Sequence, residues 1–202
     1  MMLHYEMTDL GFLTYFLGIQ IQQHEDSIFL SQEKYAKNLL TKFGLKDCNP
    51  AIIPMTLNVK LEELKGEEKT DAESCRRIIC SLMYLTKTRP DLECPVNKIA
   101  RYVSNPSKQH FDAAKCILCY IQGTTSFGFI YPKGGNGKIN EFCDADWGGD
   151  IDKRTSTGTY LFLLDQKPIS WSFHKQQTIV LSTTEVEYMT LSNANCEAIW
   201  LK

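Results

Sequence analysis

Asp144 and Asp146 stand two apart in KINEFCDADW, a stretch with strand-like alternation, so both carboxylates are expected on one face of a strand. Asp150 and Asp152 follow in the loop beyond. Acids gathered this way are costly without a cation, and a two-metal phosphodiester site needs them as bridging and terminal ligands. A polar strand end turning into a loop accounts for the same residues. The last segment, LSTTEVEYMTLSNANCEAIWLK, reads as a helix. Its start matches the capping box S/T-x-x-E from Ser182 to Glu185, which gives Glu185 a structural task. Glu187 heads the stripe Leu191, Ala194, Ala198 and Leu201 and is expected on the core-facing side, where a carboxylate calls for a cation. As a first-turn acid complementing the helix dipole it would need none. Together, Asp144 and Glu187 suggest a divalent metal with oxygen ligands, Mg²⁺ by preference. Two acids cannot cage two ions, and up to Lys202 no later element supplies others, so half a site is expected.

Other chemistry-bearing patterns are weaker. Cys116 and Cys119 form one C-x-x-C on a helical pattern, with no second pair or spaced histidine to complete a zinc site. PKGGNG lacks the G-x-x-x-x-G-K-[ST] order of a phosphate loop and reads as a turn.

The elements that must position the acids follow from periodicity. FLGIQIQQ, HEDS and IFLSQ read as a hairpin, with Ser31 capping a helix from about Gln32 to Phe43 that Gly44 ends. VKLEELKGEEKTDAES is charged and free of aromatics, a solvated linker. A buried helical block starts near Arg76, turns at Thr88-Arg89-Pro90-Asp91 and restarts towards Tyr102, with Pro95 in its first turn. Ser107 caps another helix with the stripe Phe111, Ala114, Leu118 and Ile121, ending at Gly123. GFIY and KINEFCDADW read as a hairpin across the glycine turn, followed by strands TYLFLL and PISWSF around Asp165-Gln166-Lys167. The order is β-β-β-β-α.

The 202 residues carry a formal charge of -2, so any nucleic-acid contact is local, not driven by an overall cationic field. Eight cysteines without zinc spacing read as reduced thiols. No signal segment opens the sequence, and no apolar run reaches the roughly 18 residues of a membrane span, so a cytoplasmic or nuclear location is expected.

CDADWGGDIDKRTSTGTY (143–160), ISWSFHKQ (169–176) and LSTTEVEYMTLSNANCEAIWL (181–201) resemble the ribonuclease H region of copia-type LTR retrotransposon Pol polyproteins. DLGFLTYFLGIQI (9–21), SLMYLTKTRPD (81–91) and AAKCILCYIQGT (113–124) are similar to the reverse-transcriptase tail and connecting region of the same polyproteins. The resemblance implies an α+β fold: a helical reverse-transcriptase thumb and connection remnant, then a truncated ribonuclease H-like antiparallel four-stranded sheet with one helix. It divides the chain into a palm and thumb remnant (1–55), a linker (56–73), a helical connection region (74–125) and a truncated ribonuclease H-like domain (126–202). The parent would synthesise DNA on RNA and cut the RNA of RNA/DNA hybrids with two Mg²⁺ ions. By position, Asp144 resembles the first catalytic metal-binding acid and Glu187 the second; the other family acids and the YVDD-type polymerase motif are not among these residues, so the piece is expected to be catalytically incomplete. The implied partners are an RNA/DNA hybrid and other Pol segments, with no membrane. The alternative is a non-catalytic interaction module using Arg89, Arg101, Lys108 and Lys115 on nucleic acid or protein. Cys75, Cys80, Cys94, Cys116 and Cys119 stand where the family commonly has Tyr, Gly, Phe, Arg and Arg.

Overall fold

The computed structural model describes residues 11–56, 61–62, 70–150 and 152–202. Strands β1 (Tyr15–Phe16), β2 (Ile19–Gln23) and β3 (Ser27–Ser31) form a meander at the N-terminal end. Between β1 and β2, Leu17 and Gly18 both take positive φ, the two-residue turn suited to the strand twist. Gly18 is required there twice over, because the Tyr84 hydroxyl donates to the Leu17 carbonyl and occupies the space a Cβ would need.

Helix α1 (Glu33–Lys42) follows directly. Ser31 is not its cap: it ends β3, is buried, and Gln32 takes the N-cap position without a side-chain bond. Gly44, at φ +69°, ends the helix as the sequence suggests. Most of the charged linker, 57–60 and 63–69, lies outside the described residues, but Leu61 is buried and its carbonyl accepts a 2.7 Å bond from the Tyr102 hydroxyl. Helix α2 (Ala72–Leu85) begins four residues before Arg76. The cause is Asp71, whose carboxylate accepts from the Glu73 amide at 3.0 Å and the Ser74 hydroxyl at 2.6 Å.

A single 3₁₀ turn at Pro90–Leu92 leads into α3 (Glu93–Ala100), with Pro95 in its first turn. Helix α4 (Lys108–Gly123) starts at the Ser107 cap, and His110 completes the box by accepting the Ser107 amide at 3.0 Å. All four helices share one core, in which Leu40, Leu82, Ile99, Leu118 and Ile121 are at most 1% exposed. Among the described residues, α1 therefore packs in the same core as α2, α3 and α4.

The C-terminal part departs from expectation in its strand pairing. Strand β4 (Gly128–Pro132) does not form a hairpin with β5 (Ile139–Asp146); it joins β3 antiparallel, from Ser31 opposite Gly128 to Ser27 opposite Pro132. The glycine-rich 133–138 segment is pulled away from a hairpin by Asp165, whose carboxylate accepts the amides of Asn136, Gly137 and Lys138 at 3.0–3.1 Å. The second sheet thus has three strands, β5, β6 (Thr157–Leu164) and β7 (Lys167–Lys175), where four were expected. The β6–β7 turn is the two-residue type, with positive φ at Asp165 and Gln166. Helix α5 (Thr183–Leu201) covers one face of this sheet. The observed fold is α+β.

The β3–β4 seam gives a direct test. A Cβ on Gly128 would lie 2.2 Å from the Leu30 carbonyl oxygen, a backbone atom with no freedom to withdraw. Gly128→Ala is expected to cost about 1–3 kcal/mol through overpacking, read as a lower urea midpoint at unchanged slope.

Candidate functional site

Side-chain alternation fixes where the acids of β5 go. Ala145 lies opposite Gly158, and Gly158 opposite His174; a Cβ on Gly158 would meet the Thr190 hydroxyl 2.7 Å away, so these residues face α5. Cys143 and Glu141 share that face. Asp144 and Asp146, opposite Thr159 and Thr157, take the other one, which meets α3: the Arg101 guanidinium donates to the Thr157 hydroxyl at 3.0 Å and lies 6.0 Å from the Phe173 ring.

Glu187 sits on the α5 side. The residues of α5 buried against the sheet are Val186, Thr190 and Ala194; of the expected stripe Ala194 is buried and Ala198 and Leu201 are half-buried, while its leading residues Glu187 and Leu191 turn outward. Glu187 is exposed, and Leu191 is 41% exposed. The reason is composition: the α5–sheet interface is polar, with Gln176 donating to Val186 O and Thr190 Oγ1 at 3.3 Å and Ser170 donating to Glu197 at 2.6 Å. An apolar stripe does not identify the inward face of a helix that packs through a threonine and two carboxamide or carboxylate contacts. Ser182 caps α5 through the Glu185 amide at 3.2 Å, and the Glu185 carboxylate accepts the Leu181 amide at 3.0 Å, which bears out its structural task one residue from the expected donor.

Asp144 therefore lies on the sheet face turned away from α5, whereas Glu187 is exposed on α5 itself. Their common neighbour is Cys143, whose thiol is pushed up by partial burial and by the carboxylates of Glu141, Glu187 and Asp144. Among the described residues no three His, Cys, Asp or Glu side chains gather as a metal-binding group. The residues present do not fit a two-ion centre.

The acid that does acquire strong partners is Asp150, one the sequence leaves in a loop. Its side chain is 3% exposed, pairs with the Lys175 ammonium, lies 3.9 Å from Arg101 and accepts the Lys153 amide at 3.0 Å. Burial alone would raise its pKa; the Lys175 bond, the Lys153 amide and the Arg101 charge outweigh that and hold the carboxyl below the usual range. The cluster fastens α3 to the end of β7. The only local signal was an aspartate placed to cap its own turn at Lys153. Arg101 is thus engaged internally, and so is Arg89: its side chain is 4% exposed, bonded to the Asp91 carboxylate at 2.7 and 2.9 Å and to the Thr124 carbonyl at 2.8 Å. Neither is a solvated cation available to a phosphate backbone. Lys108 and Lys115 are exposed.

The family model for reverse transcriptase (RNA-dependent DNA polymerase) matches residues 1–57. A retrovirus-related Pol polyprotein from transposon RE2 of Arabidopsis thaliana is 38% identical over 189 residues, covering 94% of this chain and 13% of that polyprotein. One from transposon TNT 1-94 of Nicotiana tabacum is 37% identical over 208 residues, covering 98% of this chain and 16% of its own length. The chain belongs to the copia-type retrotransposon Pol family. An uncharacterized mitochondrial protein of Arabidopsis thaliana, 37% identical over 196 residues, matches 97% of this Pol chain and 81% of its own length. The chain spans about an eighth of the first of these polyproteins, and no solved structure matches it. No helix among the described residues is long and apolar enough to cross a membrane.

The polar α5 interface makes stability depend on pH. Burial holds the His174 imidazole below its ordinary 6.5, and its Nε2 lies 2.9 Å from Asn193 Nδ2. The unfolded chain takes up this proton at higher pH than the folded one, so the neutral-state stability is complete above 6.5 and declines as pH falls towards the depressed folded value. Urea midpoints are expected to fall between about pH 7.5 and about pH 5, with a shallower fall in His174→Gln.

Proposed function

We propose that this chain is the junction of a copia-type Pol polyprotein, carrying the end of the reverse transcriptase and the start of a ribonuclease H domain, and that it is itself catalytically incomplete. In this reading the parent carries out RNA-directed DNA synthesis and cleaves the RNA of RNA/DNA hybrids. The supporting observation is one of order: an antiparallel β5–β6–β7 sheet bears Asp144 on its first strand, and α5, placed against it, bears Glu187 in its first turn. This is the arrangement in which the resemblance places the first two metal-binding acids. Incompleteness is supported by the absence, among the described residues, of any third acid gathered with these two.

Other Pol segments are the partners this reading favours. The outer edge of β5 has no neighbouring strand among the described residues, with Phe142 57% exposed, and α5 presents Tyr188, Ile199 and Trp200 to solvent. Such unpaired edges and apolar faces are what a larger assembly covers.

Incubated with a labelled RNA/DNA hybrid and Mg²⁺, the purified chain and its Asp144→Asn variant are both expected to leave the hybrid intact. Cleavage by the unsubstituted 202-residue chain that disappears in Asp144→Asn would overturn the claim of incompleteness. Magnesium is expected to bind weakly, because two separated carboxylates cannot cage a hard divalent ion. Calorimetric titration should show no saturating site; tight binding at two sites would contradict the reading.

A further inference from the structure

All eight cysteines of the chain are free thiols, and two of them are neighbours in space although far apart in sequence. Cys48 lies in the connection that follows α1, and Cys119 in the penultimate turn of α4; the two thiols are near enough to act on one another electrostatically. Their backbones are fixed as well. The Cys48 amide donates to the Leu45 carbonyl at 3.3 Å, and the Ala51 amide donates to the carbonyl of Cys119 itself at 3.1 Å. Between them, Pro50 packs on Gly123 so closely that a Cβ there would come within 2.9 Å of the Pro50 Cβ. The 48–51 strap thus runs along the last turns of α4, which keeps Cys48 in the neighbourhood of Cys119. Cys116, one turn earlier, is directed instead towards the Ile53 carbonyl.

We infer that Cys48 and Cys119 are a redox-responsive pair, which a small-molecule disulfide such as oxidised glutathione converts to an intramolecular disulfide that staples the α1–α2 connection to α4. The thiolate of Cys119 attacks the glutathione disulfide, forming a mixed disulfide and releasing one glutathione thiol. Cys48, on losing its proton, attacks the Cys119 sulfur and releases the second. Two protein thiols are oxidised, and one glutathione disulfide is reduced to two glutathiones. Burial and the adjoining Cys119 thiol push Cys48 up to about 11, so the second step is slow at neutral pH and accelerates as pH rises. The staple closes a long loop, the case in which a cross-link restricts the unfolded chain most.

The test uses the full chain, reduced and then exposed to oxidised glutathione, with non-reducing peptide mapping and thermal melts. The expected result is a bond joining the peptides that contain Cys48 and Cys119, formed faster at higher pH, with Tm raised by about 5 °C. Cys119→Ser is expected to abolish both effects, and Cys80→Ser, at an exposed position, to retain them. Should Cys119→Ser fold poorly, Cys48→Ser provides the same readout from the connecting segment. Glutathione adducts on Cys48 and Cys119 without a bond between them, or a bond from either to another cysteine, would overturn the inference.

Discussion

The pairing of β3 with β4 is the constraint from which the rest of the arrangement follows. Five residues on each strand bring Ser31 beside Gly128, with all four helices of the first core between them in sequence. Both ends of the helical segment are thereby fixed. Arg89 sets the direction in which the chain leaves α4: it binds the Thr124 carbonyl, and its guanidinium carbon lies 5.1 Å from the Phe127 ring and 5.6 Å from that of Tyr120. A buried guanidinium is stable only with its donors satisfied, and here a carboxylate, a carbonyl and a hydroxyl satisfy them. From β4 the constraint passes on, through the Tyr131 hydroxyl to the Pro168 carbonyl at 2.7 Å and through the Phe129–Trp171 contact, to the sheet that carries Asp144.

The two halves are built differently. The helical core is apolar: leucine and isoleucine side chains dominate it, and burial supplies most of its cohesion. The β5–β6–β7 sheet and α5 meet through Gly158, Thr190, Gln176 and the Ser170–Glu197 bond, with Phe162 as the one large apolar side chain fully buried in that sheet. Such an interface depends on hydrogen-bond geometry, and each polar group in it is costly if left unmatched. It is also the interface that positions Glu187, so the candidate acid is held by the more condition-sensitive half of the molecule.

Much of the first half was legible in the sequence because helices announce themselves locally. The Gly44 stop, the Ser107 cap and the first-turn Pro95 are contained within single turns of chain. What was not legible depends on distant partners. Nothing in GFIY indicates whether its neighbour is KINEFCDA or SIFLS; the decision rests on Asp165 drawing the 133–138 amides to the β6–β7 turn. Only the first turns of α5, at Glu187 and Leu191, were misread, because hydrophobic spacing locates an apolar interface and the contacts there run through Gln176 and Thr190. Asp144 could be placed on a strand from its alternation with Asp146, yet which sheet face that strand turns towards α5 is settled by packing of Gly158 against Thr190.

The β3–β4 seam also bears on the order in which the molecule assembles. Strands β5, β6 and β7 are joined by short connections and can pair with neighbours close by in the chain, as can β1, β2 and β3. Joining β3 to β4 instead closes a loop of roughly a hundred residues, an entropic cost best met after the intervening helices have collapsed. The two meanders can therefore form before β4 docks on β3, and that pairing is expected to be the last to zip and the first to open.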